Sequence, residues 1–176
     1  MTLFPTHSTT AATLSPDGLH RYTLRRTWAP GPTLLFVGLN PSTADAEADD
    51  PTVRRLKGFA DREGYGTLAI ANLFTYRTPS PAALWKLPPE ERLGLPADSY
   101  LTLAVIDAHA ILCGWGACAK QAAARIDAVF SLLEASGRPL YRLGLNADGT
   151  PAHPLYQRAD APFVRYTRGS AAWRQG

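Results

Sequence analysis

Thr33-Leu34-Leu35-Phe36-Val37-Gly38-Leu39-Asn40-Pro41-Ser42 is an apolar run that ends in a polar turn. Leu34, Leu35, Phe36 and Val37 suit a strand buried on both faces. Gly38 lets the backbone pass close to a neighbour, and Pro41, lacking an N–H, cannot extend a ladder. The turn therefore falls at the carboxyl end of a central strand, where open α/β sheets place their ligands. Asn40 brings an amide that both donates and accepts, on a loop stiffened by Pro41. An ordinary strand-ending turn uses the same residue types, so this stretch alone leaves both readings open.

Before it, Ala29-Pro30-Gly31-Pro32 is a loop. Residues 21–28 mix apolar and basic positions and read as an edge strand with Arg21, Arg25 and Arg26 on an accessible surface, charges that blunt edge pairing. Residues 1–16 are Thr-rich, a loose arm or a short edge element. After it, residues 41–51 form a polar loop with Asp45, Glu47, Asp49 and Asp50, long enough to suggest function. Asp50-Pro51-Thr52 opens a helix with an inward stripe of Val53, Leu56, Phe59 and Ala60, and Gly64-Tyr65-Gly66 closes it. Residues 67–74 are a second buried strand, interrupted by Asn72. Residues 81–87 make one or two helical turns and 95–108 a helix. Residues 110–113 are a third strand, then Gly114-Trp115-Gly116 turns into a long amphipathic helix over 117–135. Residues 140–144 are a fourth strand and 163–167 a last one. The alternation predicts one α/β domain over residues 1–176. It would be a three-layer α/β/α arrangement on a central, mostly parallel four-stranded sheet, with 1–16 and 168–176 flexible or peripheral.

The totals agree with a single globular domain: 176 residues, 45% hydrophobic and 19% charged. No apolar run approaches the roughly 20 residues of a membrane span, and no secretory leader is visible, so a cytoplasmic location is expected. A net charge of +3 permits nucleic acid without demanding it. Cys113 and Cys118 are too few for a disulfide framework or for an iron–sulfur cluster, and a reduced state is expected.

The strand-end loops carry Asn40, Asn72 and His153, with Arg77 and Lys120 as cations. Ser42 lacks the Gly-x-Ser-x-Gly frame of a hydrolase elbow, and Cys113 in an apolar strand reads as core. His7, His20, His109 and His153 are far apart, so no metal and no organic cofactor is expected. Phosphate-loop and dinucleotide signatures are absent. Gly116 at a helix start suits either an anion or close helix packing. Asn72 ends an apolar strand, where an unpaired amide costs roughly 1–3 kcal/mol. Its partner is either nearby backbone or the edge of a ligand, and the same two readings hold for His153.

Gly38-Leu39-Asn40-Pro41-Ser42 resembles the Gly-x-x-Pro motif of the uracil-DNA glycosylase superfamily, often Gly-Ile-Asn-Pro in its mismatch-specific branch. Asn72 in Ala69-Ile70-Ala71-Asn72-Leu73 resembles that family's base-reading asparagine. Gly114-Trp115-Gly116-Ala117 is similar to its later Gly-x-x-Ala turn, and His153-Pro154 to the start of its last motif. The resemblance covers residues 34–156. The whole chain resembles more closely a bacterial family known only as a domain of unknown function. The shared stretches are Leu39-Asn40-Pro41-Ser42, Asp50-Pro51-Thr52, Asn72-Leu73-Phe74 and Gly149-x-x-x-His153-Pro154-Leu155-Tyr156. Departures are the acidic stretch after Asn40 and Leu155-Tyr156-Gln157-Arg158, which stands where the glycosylase motif usually continues His-Pro-Ser.

The glycosylase resemblance implies a monomeric hydrolase that flips a nucleotide of single-stranded or mismatched DNA and releases uracil or another deaminated base. Asn40 would hold and polarise the water. His153 would stabilise charge on the leaving base. Gly38, Leu39, Pro41, Ser42, Asn72, Phe74, Tyr76, Leu155 and Tyr156 would form the base site, with Phe74 or Tyr76 stacking in preference to Phe59. Arg77, Lys120 and Arg158 would contact phosphates. The alternative is a catalytically silent nucleotide or nucleic-acid binding module on the same fold.

Overall fold

The computed structural model describes residues 9–42 and 47–167. The first eight residues, Asp45 of the acidic loop and the 168–176 tail lie outside them. The apolar run forms β3 (Thr33–Gly38), buried along its whole length. Asp50 then caps α1 (Pro51–Arg62), its Oδ1 accepting the Val53 N–H at 2.8 Å. The helix leads into β4 (Thr67–Asn72), likewise buried throughout, which pairs with β3 in parallel, Gly38 opposite Asn72. Next come α2 (Pro81–Lys86), α3 (Ala97–Asp107), β5 (Ala110–Cys113), α4 (Ala119–Ala135) and β6 (Leu140–Arg142). Upstream lie β1 (Thr9–Leu14) and β2 (Arg21–Thr27), and β7 (Val164–Arg165) follows.

Strand alternation sorts the core into two layers. Leu35, Val37, Ala69, Ala71, Ile111 and Cys113 face one side, covered by α2, α3 and α4 through Leu84, Leu101, Val105, Ile126 and Phe130. Leu34, Phe36, Leu68, Ile70 and Leu112 face the other, covered by α1 through Val53, Leu56 and Phe59. The chain is thus α/β with helices on both faces. The sheet order is β1-β2-β4-β3-β5-β6-β7. From β3 the chain crosses to β4 on one side. From β5 it crosses to β6 on the other. Right-handed crossovers running in opposite directions put α1 and α4 on opposite faces and open a crevice beyond the ends of β3 and β5.

Two expectations about the sheet need correction. It has seven strands among the described residues, not four, and is mixed. Three parallel pairings in the middle are flanked by three antiparallel ones: β1 with β2, β2 with β4, and β6 with β7. Of the antiparallel flanking strands, β1 is half threonine, β2 carries three arginines and β7 is two residues long, so their apolar signal is weak. Nor is β2 the edge. Covered by β1, it sends Arg26 into the interior, where its Nε donates to Asp49 Oδ1 at 2.7 Å. Arg21 is 3% exposed. Of the three arginines only Arg25 is on the surface, paired with Asp107 of α3. Among the described residues no helix is long and apolar enough to cross a membrane.

Candidate functional site

The crevice is a cavity of about 340 Å³, at the lower end of the ~300–1,000 Å³ of small-molecule sites. Its floor is Phe36. A Cβ on Gly38 would lie 2.9 Å from Phe36 Cε1, and one on Gly114 would lie 2.6 Å from Phe36 Cε2. The two glycines therefore make room for the ring. The same Gly38 Cβ would lie 2.9 Å from Asn72 Oδ1, so Gly38 also clears space for that amide.

Asn40 is committed at one end. Its Nδ2 donates to the carbonyls of Pro41 (3.0 Å), Thr78 (3.0 Å) and Tyr76 (3.4 Å). Three acceptors around one amide fix its orientation and knit the loop after β3 to the loop after β4. The carbonyl oxygen, Oδ1, is the end left for a ligand or water. Asn72 is 6% exposed and lines the cavity. Among the described residues no hydrogen bond reaches its side-chain amide.

His153 sits in a segment strapped to α1. Arg62 donates to the carbonyls of Ala159 and Ala161, each at 2.7 Å, and Arg55 to that of Gln157. Both guanidinium groups also pack on the Phe59 ring. His153 Nδ1 accepts the Leu155 N–H at 3.3 Å, so the neutral ring carries its proton on Nε2. Burial holds the imidazole below its ordinary value of 6.5, against the opposing pull of the Asp50 carboxylate. His153 is therefore a neutral Nε2–H donor near pH 7. Asp50 shares the wall, and its carboxylate also accepts the Ser42 hydroxyl.

Of the residues expected at the site, Gly38, Leu39, Asn40, Ser42, Asn72, His153, Leu155 and Tyr156 line this cavity. Leu155 and Tyr156 are its exposed rim. Pro41 is not part of the lining; its carbonyl receives Asn40. Phe74 is on the other side of the sheet, buried edge-on against Trp85, and Tyr76 is edge-on to His20. Neither can stack on a ligand in the cavity. Arg77 donates to the Gly18 carbonyl at 3.1 Å, Arg158 is paired with Asp160, and Lys120 is exposed on α4. None of the three lines the cavity. Gly116 does, but its N–H donates to the Pro151 carbonyl at 3.0 Å and is not offered to an anion. Sequence reasoning missed Phe36, Trp115, Asp50 and Arg21 in the wall. Phe36 was within reach: it stands two positions before Gly38 and shares its face.

Among the described residues no group of three or more His, Cys, Asp or Glu side chains is placed to hold a metal ion. What the cavity offers is an apolar floor, a free amide, a neutral imidazole donor and an amide oxygen at one edge. No curated protein and no solved structure matches the chain. The model of one family, described as a protein of unknown function (DUF1643), matches residues 21–155, which include every wall residue of the cavity except Tyr156. The chain belongs to that family.

Proposed function

We propose that the cavity takes a nucleobase and that the protein hydrolyses the N-glycosidic bond of a deaminated base, most simply uracil, in DNA. The observation that carries this reading is Asn72. Its buried amide has no hydrogen bond from the described residues and stands beside an aromatic floor. An amide left so costs roughly 1–3 kcal/mol unless something in the cavity pairs with it. A planar ring with one donor and one acceptor on its edge answers both features. Phe36 takes the stacking role assigned by sequence to Phe74 or Tyr76.

Asn40 Oδ1 accepts a hydrogen bond from a water and aims it at the anomeric carbon. The water oxygen bonds to that carbon while the bond to the base nitrogen breaks. The base leaves with the electron pair and is later protonated, and the water's proton goes to solvent. His153 Nε2–H donates to the base oxygen on which negative charge accumulates, an interaction stronger in the transition state than before it. The likeness to the uracil-DNA glycosylase motifs supports the same assignment.

A second reading, binding of a nucleotide without turnover, is favoured by the arginines. Arg55, Arg62, Arg77, Arg92, Arg125 and Arg138 all donate to backbone carbonyls, which commits these six to holding the fold rather than to a duplex. Base release from oligonucleotides carrying uracil, hypoxanthine or xanthine, single-stranded and mismatched, decides between them. Asn72→Ala and His153→Ala serve as controls, since Asn40→Ala would also loosen the loops. Release by the native protein, lost in both variants, is the expected result. No release from any substrate sinks the hydrolase reading.

A further inference from the structure

Arg21 is the wall residue that the nucleobase reading does not use. It is 3% exposed, and it borders the cavity together with Phe36, Ile70 and Asn72. By strict alternation it should not be there. Leu24 and Arg26 face α1, while Thr23 and Arg25 face α3. On that count Tyr22 would face α1 and Arg21 would face α3. The ladder breaks the count: β1 and β2 pair residue for residue from Thr9↔Thr27 to Thr13↔Thr23, and then Leu14 pairs with Arg21. Tyr22 is the extra residue of a β-bulge. Its ring goes to the α3 side, stacked on Tyr100 at 4.8 Å. Arg21 is turned to the α1 side, into the cavity. Bulges beside functional sites re-aim side chains in this way.

The position is also informative. The Arg21 N–H donates to the Thr75 carbonyl at 2.9 Å, which holds the start of β2 beside the end of β4. Neighbouring strands are about 4.8 Å apart. Arg21 thus stands one strand from Asn72 and two from Gly38, on the side away from His153. The planar fork of its guanidinium matches the oxygens of a phosphate.

We propose that Arg21 is the phosphate-binding residue of this cavity, and that the ligand is a nucleotide whose base meets Asn72 while its phosphate meets Arg21. This rests on the nucleobase reading above for the base half only. The phosphate is either the monoester of a free nucleotide or the diester beside a nucleotide flipped from a strand.

Binding is measured for deoxyuridine, dUMP, deoxyinosine, dIMP and a short single-stranded oligonucleotide with one deoxyuridine. The proteins are native, Arg21→Gln and Arg21→Lys, with folding checked by circular dichroism and thermal shift by inorganic phosphate recorded for each. The monophosphate should bind native protein at least tenfold more tightly than its nucleoside. Arg21→Gln should bring that ratio near one without weakening the nucleoside, and Arg21→Lys should keep part of it. Tighter binding of dUMP than of the oligonucleotide identifies a free nucleotide, and the reverse a strand. Equal affinity of nucleoside and monophosphate for native protein, or a ratio that survives in Arg21→Gln, overturns the proposal and leaves the nucleobase reading standing. Stabilisation by phosphate with no nucleoside binding supports Arg21 and sinks the nucleobase reading. No binding of any kind sinks both. If Arg21→Gln does not fold, the native ratio and its loss under competing phosphate decide.

Discussion

Asn40 acts as a clamp before it acts as anything else. Its two N–H groups are shared among three carbonyls of two loops. Asn40→Ala should therefore cost about 1–3 kcal/mol in chemical denaturation. Asn40→Asp should cost more, because a carboxylate would face the same three oxygens with no proton to give. An aspartate variant as stable as the alanine would refute the clamp. His153 makes a second residue-scale prediction. Its folded-state value lies below 6.5, so the folded protein binds this proton less readily than the unfolded chain. The stability it contributes is present above pH 6.5 and is lost as pH falls from there to the folded value. Protonation also turns Nδ1 into a donor and breaks its contact with the Leu155 N–H. Nitrogen-edge NMR should show an Nε2–H tautomer at pH 7 and a midpoint under 6.5; an Nδ1–H tautomer would contradict the geometry. None of this was legible in the sequence, where Asn40 and His153 read equally well as turn residues. The carbonyls of Tyr76 and Thr78 lie more than thirty positions from Asn40 and leave no local mark.

At the scale of elements, α1 does three jobs. Its N-cap Asp50 and its first-turn Thr52 enter the cavity wall, its inner stripe fills the core, and Arg55 and Arg62 hold residues 157–161. Hydrogen exchange should speed up across 153–161 in Arg55→Ala/Arg62→Ala while β3 and β4 stay protected; unchanged protection there would show that the straps are incidental. The salt bridges of β2 separate burial from mere proximity. Arg25–Asp107 is exposed on both sides, so Asp107→Ala should cost under about 1 kcal/mol. Arg26 is buried, and burial, which would raise Asp49, is outweighed by Arg26 and Lys57, which hold its carboxyl below the usual range. Asp49→Ala should cost about 3 kcal/mol in the same assay. Equal costs would mean Arg26 is solvated. The helix stripe and the Asp50-Pro51 cap were readable because they are local. The depth of β2 was not, because a strand with three arginines looks like an edge until β1 is seen to cover it.

For the whole molecule, the parallel centre was recoverable from apolar runs separated by helices, and the switch of direction between β3 and β5 follows from their order. The flanking strands were not, since β1 carries three threonines and β7 is only two residues long. The two cysteines report on the integrity of the whole. Burial pushes the Cys113 thiol far above its ordinary value and, with the Asp148 charge, lifts Cys118 to about 12. Neither should react with a thiol reagent at pH 8 in the folded protein, and both should react as denaturant unfolds it. Fast labelling of Cys118 alone would mean that the start of α4 opens by itself.

The extra residue at Tyr22 makes a single peptide unit the party wall between two sides of the sheet. Tyr22 leans on Tyr100 behind it while Arg21 borders the cavity in front. Their Cα atoms are one trans peptide, about 3.8 Å, apart. No helix or loop lies between them to absorb a shift. A survey of substitutions scored on ligand affinity would then light up on the far face of the sheet, at Tyr100 and the residues around it, where no wall of the cavity is found.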